Sequence, residues 1–356
     1  MISDAAPLRV AILGATGAVG QTFIRLLVGH PWFEVAEVAA SDRSAGKRYA
    51  DATRWIEGDL PAEVAGLTVT TCDPRAVTSP IVFSALDSGI AGEVEGAFAA
   101  AGRLVLSNAM NYRMEPDVPL VIPEVNAAHL ALLDTQRARR GWAGGIVTNA
   151  NCAATVAAMG LAPLHEAFGA RRVFLATMQA VSGAGYPGVP SLDILGNVIP
   201  YIGDEEPKLE REMQKMLGRV EQGAVVPAPF AVSAHANRVA VENGHTVCLS
   251  VEFDRAPSLE EAAQALREWR GASAVRALPS APVEPLHFFE SDDRPPQPRR
   301  DALRGRGMTV SVGRLRADPL FHLKFVAMGH NTIRGAAGGS ILNAELLVAT
   351  GRAGIA

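Results

Sequence analysis

The 356-residue chain has few cysteines: Cys72, Cys152 and Cys248. An odd count without paired spacing gives no disulfide framework, which suits a reducing cytoplasm. Long apolar runs are missing too. The run nearest the start, Leu8–Leu13, falls far short of the ~18 residues of a membrane-spanning helix. No secretory leader is expected, because Met1-Ile2-Ser3-Asp4 carries an acid where a basic segment would stand. Nor is there an excess of one charge. The formal net charge is −4 without any block of like sign, which excludes the basic face of a nucleic-acid binder. What remains, 48% hydrophobic and 20% charged residues, describes a folded globular protein long enough for two domains.

Up to about residue 150, short β-rich runs alternate with helical stretches. Leu8–Leu13, Glu34–Ala40, Leu67–Thr71, Pro80–Ala85 and Leu104–Ser107 read as strands, with Ala-rich segments such as Gly92–Ala101 between some of them. That alternation predicts βαβ units and a parallel sheet. Further on, Val173–Val181, His245–Phe253, Met308–Leu315 and His322–Met328 are longer and partly alternating, as in a sheet with one covered face. An α/β unit over residues 1–149 and an α+β unit over 150–330 are therefore expected. The tail, 331–356, contains a helical Gly338–Ala349 expected to pack back on the first unit.

Gly14-Ala15-Thr16-Gly17-Ala18-Val19-Gly20 lies between the first strand and a helix from about Ala18 to Val28. Glycines allow a sharp turn and a close approach to a pyrophosphate, while the helix start offers free N–H groups and a positive dipole end. The first unit then reads as a Rossmann-type dinucleotide-binding domain. Gly14, Thr16, Gly17, Ala18, Val19 and Gly20 are its candidate phosphate-side contacts. An NAD site places an acid at the end of the second strand. Here that strand ends Ala40-Ser41-Asp42-Arg43-Ser44. Ser41, Arg43 and Ser44 suit the 2′-phosphate of NADP, and Asp42 opposes it if it points inward. NADP is the expected cofactor. Gly46-Lys47 makes no P-loop, since Arg48 stands where Ser or Thr would bind magnesium.

Thr148-Asn149-Ala150-Asn151-Cys152-Ala153-Ala154 runs from a short β-like segment into an Ala-rich helix. Asn151 is a suitable cap, which leaves Cys152 in the first turn, where the helix dipole favours a thiolate. By itself this is either a nucleophile or a buried structural cysteine. Further on, Glu205-Glu206-Pro207-Lys208 opens a helix with an apolar stripe of Leu209, Met213, Met216 and Leu217.

Taken in order, several segments resemble the aspartate-semialdehyde dehydrogenase family in its archaeal and fungal type. They are Gly14–Gly20, Ser107–Met114, Asn149–Cys152, Gln179–Gly188, Asn237-Arg238-Val239, Gly244-His245-Thr246 and His330-Asn331-Thr332, and they span nearly the whole chain. The resemblance implies that Cys152 attacks an acyl carbon, His245 serves as general acid and base, and Gln179 orients the acyl intermediate. It implies that Arg238 holds the substrate carboxylate, Arg113 and Lys208 bind phosphate, Glu205 meets the amino group, and Asn151 belongs to the same site. Beside the cofactor it places Ser182, Gly183 and Asn331. The fold implied is an α/β Rossmann-type NADP-binding domain with an α+β catalytic and dimerisation domain, assembled as a homodimer or homotetramer. The reaction implied interconverts L-aspartate 4-semialdehyde, phosphate and NADP⁺ with 4-phospho-L-aspartate and NADPH, feeding lysine, threonine and methionine synthesis. No metal is expected, as the other histidines lack ligand spacing. Ala236 and Ala240 depart from the family pattern around Asn237-Arg238.

Other readings remain at this point. An acyl-CoA reductase of the malonyl-CoA type uses the same Cys–His logic, and anionic CoA could use Arg113 and Lys208. N-acetylglutamyl-phosphate reductase would need a longer pocket. A catalytically silent NADP-binding regulatory protein stands against the full set Cys152, Gln179, Arg238 and His245. A short-chain dehydrogenase is set aside, because none of Tyr49, Tyr112, Tyr186 or Tyr201 has a lysine four residues later.

Overall fold

The structure, a computed structural model, describes residues 6–354. Six strands form the first sheet: β1 (Leu8–Leu13), β2 (Phe33–Ala40), β3 (Val69–Thr71), β4 (Ile81–Ser84), β5 (Leu104–Ser107) and β6 (Gly145–Thr148). All pair in parallel, in the order β3-β2-β1-β4-β5-β6, so the winding reverses beside β1. This is the Rossmann arrangement, and its ligand crevice lies at the carboxyl ends of the strands near that reversal. Both faces are covered, which is why the strands read as continuous apolar runs. Val10 and Ile12 share a core with Phe23, Ile24 and Leu27 of the Ala18–Leu27 helix. Ala11 and Leu13 share the opposite one with Phe98 and Ala99 of the Ser88–Ala100 helix.

The first of these cores is completed from the far end of the chain. Ile341, Leu342, Ala344, Leu346 and Leu347 of the Gly338–Ala349 helix are buried among the same residues as Val10 and Ile12. The helix is shorter than the 331–356 tail, because the chain first makes a π-helical turn at Ile333–Ala337. There Gly335 lies so close to Cys152 that an added Cβ would sit 2.6 Å from the cysteine's own.

The second sheet is mixed. Its strands are β7 (Ala170–Gln179), β10 (Ala231–Arg238), β11 (His245–Phe253), β12 (Leu286–Phe289), β13 (Val310–Ala317) and β14 (Leu323–Gly329), in the order β10-β7-β11-β14-β13-β12. A separate hairpin joins β8 (Arg219–Glu221) to β9 (Ala224–Val226). Val173, Leu175, Val247, Leu249 and Val251 point into a core shared with the Cys152–Phe168 helix. On the other face Phe174, Met178, His235 and Cys248 are exposed. Strand β10, Ala-Val-Ser-Ala-His-Ala-Asn-Arg, carries little strand propensity of its own, and pairing along its whole length with β7 overrides that. Among the described residues no helix is long and apolar enough to cross a membrane.

Candidate active site

The second sheet delivers two residues to one point, and a helix start delivers a third. Asn151 caps the Cys152–Phe168 helix, its side-chain oxygen accepting from the N–H groups of Ala153 at 2.9 Å and Ala154 at 3.0 Å. Cys152 is thereby the first helical residue. Its Sγ lies 3.1 Å from Nε2 of His245, which opens β11. The Ala180 N–H donates to Nδ1 of the same ring at 3.0 Å. A neutral imidazole that accepts at Nδ1 carries its proton on Nε2, here directed at the sulfur. Arg238, the last residue of β10, donates from Nη1 to the Ala180 carbonyl at 2.8 Å. The N–H and C=O of one residue therefore orient the imidazole and the guanidinium respectively. Gly183 closes the group: a Cβ there would sit 2.9 Å from Arg238 Nη1 and 3.0 Å from His245 Cε1.

The helix start does not produce the favoured thiolate expected from sequence. Residue 152 is partly exposed, but loss of water around the sulfur pushes its thiol up to about 12. Glu205 adds to the rise, and Arg113, Arg238 and the Ala153 N–H work against it. The helix N-terminus is already occupied, since Asn151 takes two of its N–H groups and Glu212 Oε2 accepts the Asn151 N–H at 2.6 Å. Those same N–H groups are not free to hold an oxyanion. Burial, helped by Arg238 and His330, brings His245 down to about 3. Both shifts favour the uncharged pair, a thiol beside a neutral imidazole.

A buried carboxylate network backs the pair. Glu205 Oε1 accepts from Asn151 Nδ2 at 2.8 Å and from Gln179 Nε2 at 2.9 Å. This anchors Gln179 at the end of β7 and leaves Glu205 Oε2 unbonded among the described residues. Glu212 Oε1 accepts from Arg113 Nη1 at 3.0 Å, and Arg113 Nη2 donates to the Asn108 carbonyl at 2.7 Å. Lys208 is half-buried and makes no ion pair among the described residues. Glu205, Lys208, Glu212 and Lys215 are spaced 3, 4 and 3 residues apart along the Glu205–Met216 helix, so they share one face. Lys215 Nζ donates to the carbonyls of Arg113, Glu115 and Val118 at 2.6, 2.7 and 2.8 Å, fastening the Arg113 loop to that helix.

A cleft of about 870 Å³ opens along the glycine loop, and its walls include Gly14, Thr16, Gly17, Ala18, Val19, Ser41, Asp42 and Arg43. The cradle fits a dinucleotide. A Cβ on Gly14 would sit 2.6 Å from the Ala85 carbonyl oxygen, and no side chain caps the Ala18–Leu27 helix, so its first N–H groups face outward. Both Asp42 and Arg43 line the wall. Five candidates lie off that wall. Gly20 is a packing residue, where a Cβ would meet the Gly14 oxygen at 2.3 Å. The Ser44 main-chain N–H donates to the Ser41 carbonyl in a turn behind it. Asn331 donates to Ser182 Oγ at 2.8 Å and accepts the Gly244 N–H at 2.9 Å, and Gly183 abuts the catalytic pair. Among the described residues no group of His, Cys, Asp and Glu could hold a metal ion.

Two family models match, one described as semialdehyde dehydrogenase, NAD binding domain, over residues 9–133, the other as its dimerisation domain over 161–334. An aspartate-semialdehyde dehydrogenase from Archaeoglobus fulgidus is 50% identical over 340 residues, covering 95% of this chain and 97% of that protein. One from Schizosaccharomyces pombe is 45% identical, covering 96% and 98%. The chain belongs to the aspartate-semialdehyde dehydrogenase family. The fold agrees with solved members. A structure of aspartate semialdehyde dehydrogenase with NADP from Candida albicans superposes with a TM-score of 0.89 at 43% identity, over 98% of this chain and all of that one. A second enzyme, from Vibrio cholerae and complexed with ASA, gives 0.74 at 26% identity over 97% and 99%. The dinucleotide domain of the family is thus present.

Sequence reasoning in this family missed Glu212, Lys215 and the Ala180 peptide. Glu212 had a signal, since it follows Glu205 by seven residues and returns to the same helix face. The Ala180 contribution is main-chain and has none.

Proposed function

We propose that this chain reversibly reduces 4-phospho-L-aspartate to L-aspartate 4-semialdehyde and phosphate, with NADP as its nucleotide. The observation that carries the reading is that Cys152 Sγ meets His245 Nε2 while the Ala180 main chain holds both His245 Nδ1 and Arg238 Nη1. Arg238 has the planar fork that grips a carboxylate in two parallel bonds. The unbonded Glu205 oxygen suits the substrate ammonium, and Arg113 with Lys208 suits the phosphate. Ser41 and Arg43 on the cleft wall suit the 2′-phosphate, with Ser44 behind them. Bound in the cleft, the nicotinamide would supply hydride donation and acceptance.

In the reductive direction Cys152 sulfur bonds to the acyl carbon as the C–O bond to phosphate breaks. The thiol proton leaves on phosphate, so the step balances. While the carbon is tetrahedral, its oxygen accepts a hydrogen bond from His245 Nε2–H, and as the carbonyl re-forms and the C–S bond breaks, one proton taken up from solvent returns the sulfur to a thiol. Gln179, tied to Glu205, holds the floor of the pocket. Two easier displacements replace one hard one.

The exposed face of the second sheet, with Phe174, Met178 and His235, suits burial against another copy, and a homodimer or homotetramer working in the cytoplasm is the assembly proposed. The test is an NADPH-forming assay with aspartate semialdehyde, in which phosphate and CoA are offered separately. Turnover with phosphate and not CoA supports the reading, and the reverse pattern replaces it with an acyl-CoA reductase.

A further inference from the structure

Glu212 is a buried carboxylate beside the site for which the chemistry above has no use. It is 2% exposed, and both its oxygens are engaged: Oε1 by Arg113 Nη1 at 3.0 Å and Oε2 by the Asn151 N–H at 2.6 Å. Arg113 is itself 9% exposed, with Nη2 on the Asn108 carbonyl and Nε buried without a partner. The loop behind it cannot retreat, because Lys215 grips three of its carbonyls. The cation assigned to phosphate therefore already has an anion bound to it, supplied by the protein.

We propose that Glu212 is a positioning residue that sets how strongly Arg113 holds phosphate, by occupying the guanidinium as an internal counter-anion. An incoming phosphate must share or displace that carboxylate, so its binding is weakened and its release hastened. Release matters, since phosphate is the product that leaves before the acyl group is reduced. The Asn151 contact gives the carboxylate a fixed mount, because a backbone N–H beside a helix cap moves far less than an arginine side chain. The proposal rests on Arg113 being the phosphate ligand.

Glu212→Gln isolates the effect. The amide keeps one acceptor oxygen and gains two donor hydrogens. The oxygen stays with the immobile Asn151 N–H, the NH₂ group then faces Arg113, and two donors repel. Arg113 is then left without its counter-anion. In the oxidative direction the KM for phosphate should fall about tenfold, the scale of one charge-assisted hydrogen bond. The KM for semialdehyde should not follow it. The burst of NADPH formed on mixing enzyme, NADP⁺ and semialdehyde without phosphate should change far less than the phosphate KM, since phosphate takes no part in it. In the reductive direction phosphate should become a stronger product inhibitor by a similar factor.

Glu212→Asp keeps the charge but withdraws it by one methylene, and should lower the same KM less. It carries the test if the glutamine variant does not fold. A burst that collapses together with the phosphate step would make Glu212 a mere support for the Cys152 helix and overturn the proposal. So would an unchanged or raised KM for phosphate in folded variants. Arg113→Ala separates this failure from that of the site reading. If it raises the phosphate KM while the Glu212 variants do not lower it, only the Glu212 role fails. If it leaves that KM untouched, Arg113 is no phosphate ligand and the site reading fails with it.

Discussion

Replacing Gly183 by alanine tests the active-site geometry with a single methyl group. Its backbone φ lies outside the left-handed region, so alanine is not strained there by conformation, and the effect is steric. The new Cβ would lie 2.9 Å from Arg238 Nη1, 3.0 Å from His245 Cε1 and 3.2 Å from Nε2, where ordinary contact begins at 3.4 Å. Neither neighbour yields easily. Arg238 is held by the Ala180 carbonyl, and the fully buried imidazole is held between the Ala180 N–H and Cys152 Sγ. The ring must shift by a few tenths of an ångström, against a pair separation of 3.1 Å. A misplacement of ~1 Å costs roughly a hundredfold in rate, so about tenfold is expected here. Overpacking should also cost about 1–3 kcal/mol of stability. Steady-state kinetics and a thermal melt on one preparation would read both. The expected result is a lower kcat, little change in the KM for NADP⁺, and a modestly lower Tm. A wild-type kcat would refute the steric argument, and a raised KM for NADP⁺ with kcat intact would return Gly183 to the cofactor.

The rate of Cys152 alkylation, followed by peptide-resolved mass spectrometry, should climb about tenfold per pH unit through neutrality, because the thiol is pushed up to about 12. A plateau near neutral pH would mean a thiolate–imidazolium pair instead. Arg43→Ala should raise the KM for NADP⁺ by roughly tenfold to a hundredfold and that for NAD⁺ much less, and equal effects would shift the choice to Asp42. Arg238→Lys should lose most of kcat/KM although the charge is kept, since lysine lacks the planar fork, and near-normal kinetics would remove the carboxylate clamp. His245 and His330 are held down to about 3 and about 4 in the folded chain, so from the usual histidine value downward the unfolded chain binds more protons. Stability should therefore fall as pH drops from about 6.5 to 4, with a shallower slope in His245→Asn, and a flat Tm over that window would contradict the burial argument.

The first domain was legible because a parallel sheet buried on both faces writes itself as apolar runs, and Leu8–Leu13 and Leu104–Ser107 needed no context. Strand β10 was not, since Ala231 to Arg238 owes its extension to β7 rather than to its own residues. The candidate side chains Cys152, His245, Gln179 and Arg238 could be named through the family resemblance, for a helix-start cysteine alone fits a nucleophile or a structural thiol equally. Their ionisation could not. Asn151 is the expected cap of the Cys152 helix, and only the fold reveals that Glu212 takes the Asn151 N–H as well. The same holds for the Ala180 peptide, whose hydrogen bonds depend on where three strand ends meet.

The return of the Gly338–Ala349 helix to the core of the first sheet has a bearing on the order of synthesis. When residue 149 leaves the ribosome, the strands of the first sheet have been made, but one layer of its covering has not. Val10, Ile12 and Phe83 must wait for Ile341, Leu342 and Leu346, which arrive after the whole second sheet has been translated. The dinucleotide-binding half, although first in the chain, is thus among the last parts to close. A nascent chain stalled between the two sheets would present an apolar groove shaped for a helix, a ready docking place for chaperones or for the same helix of a neighbouring copy.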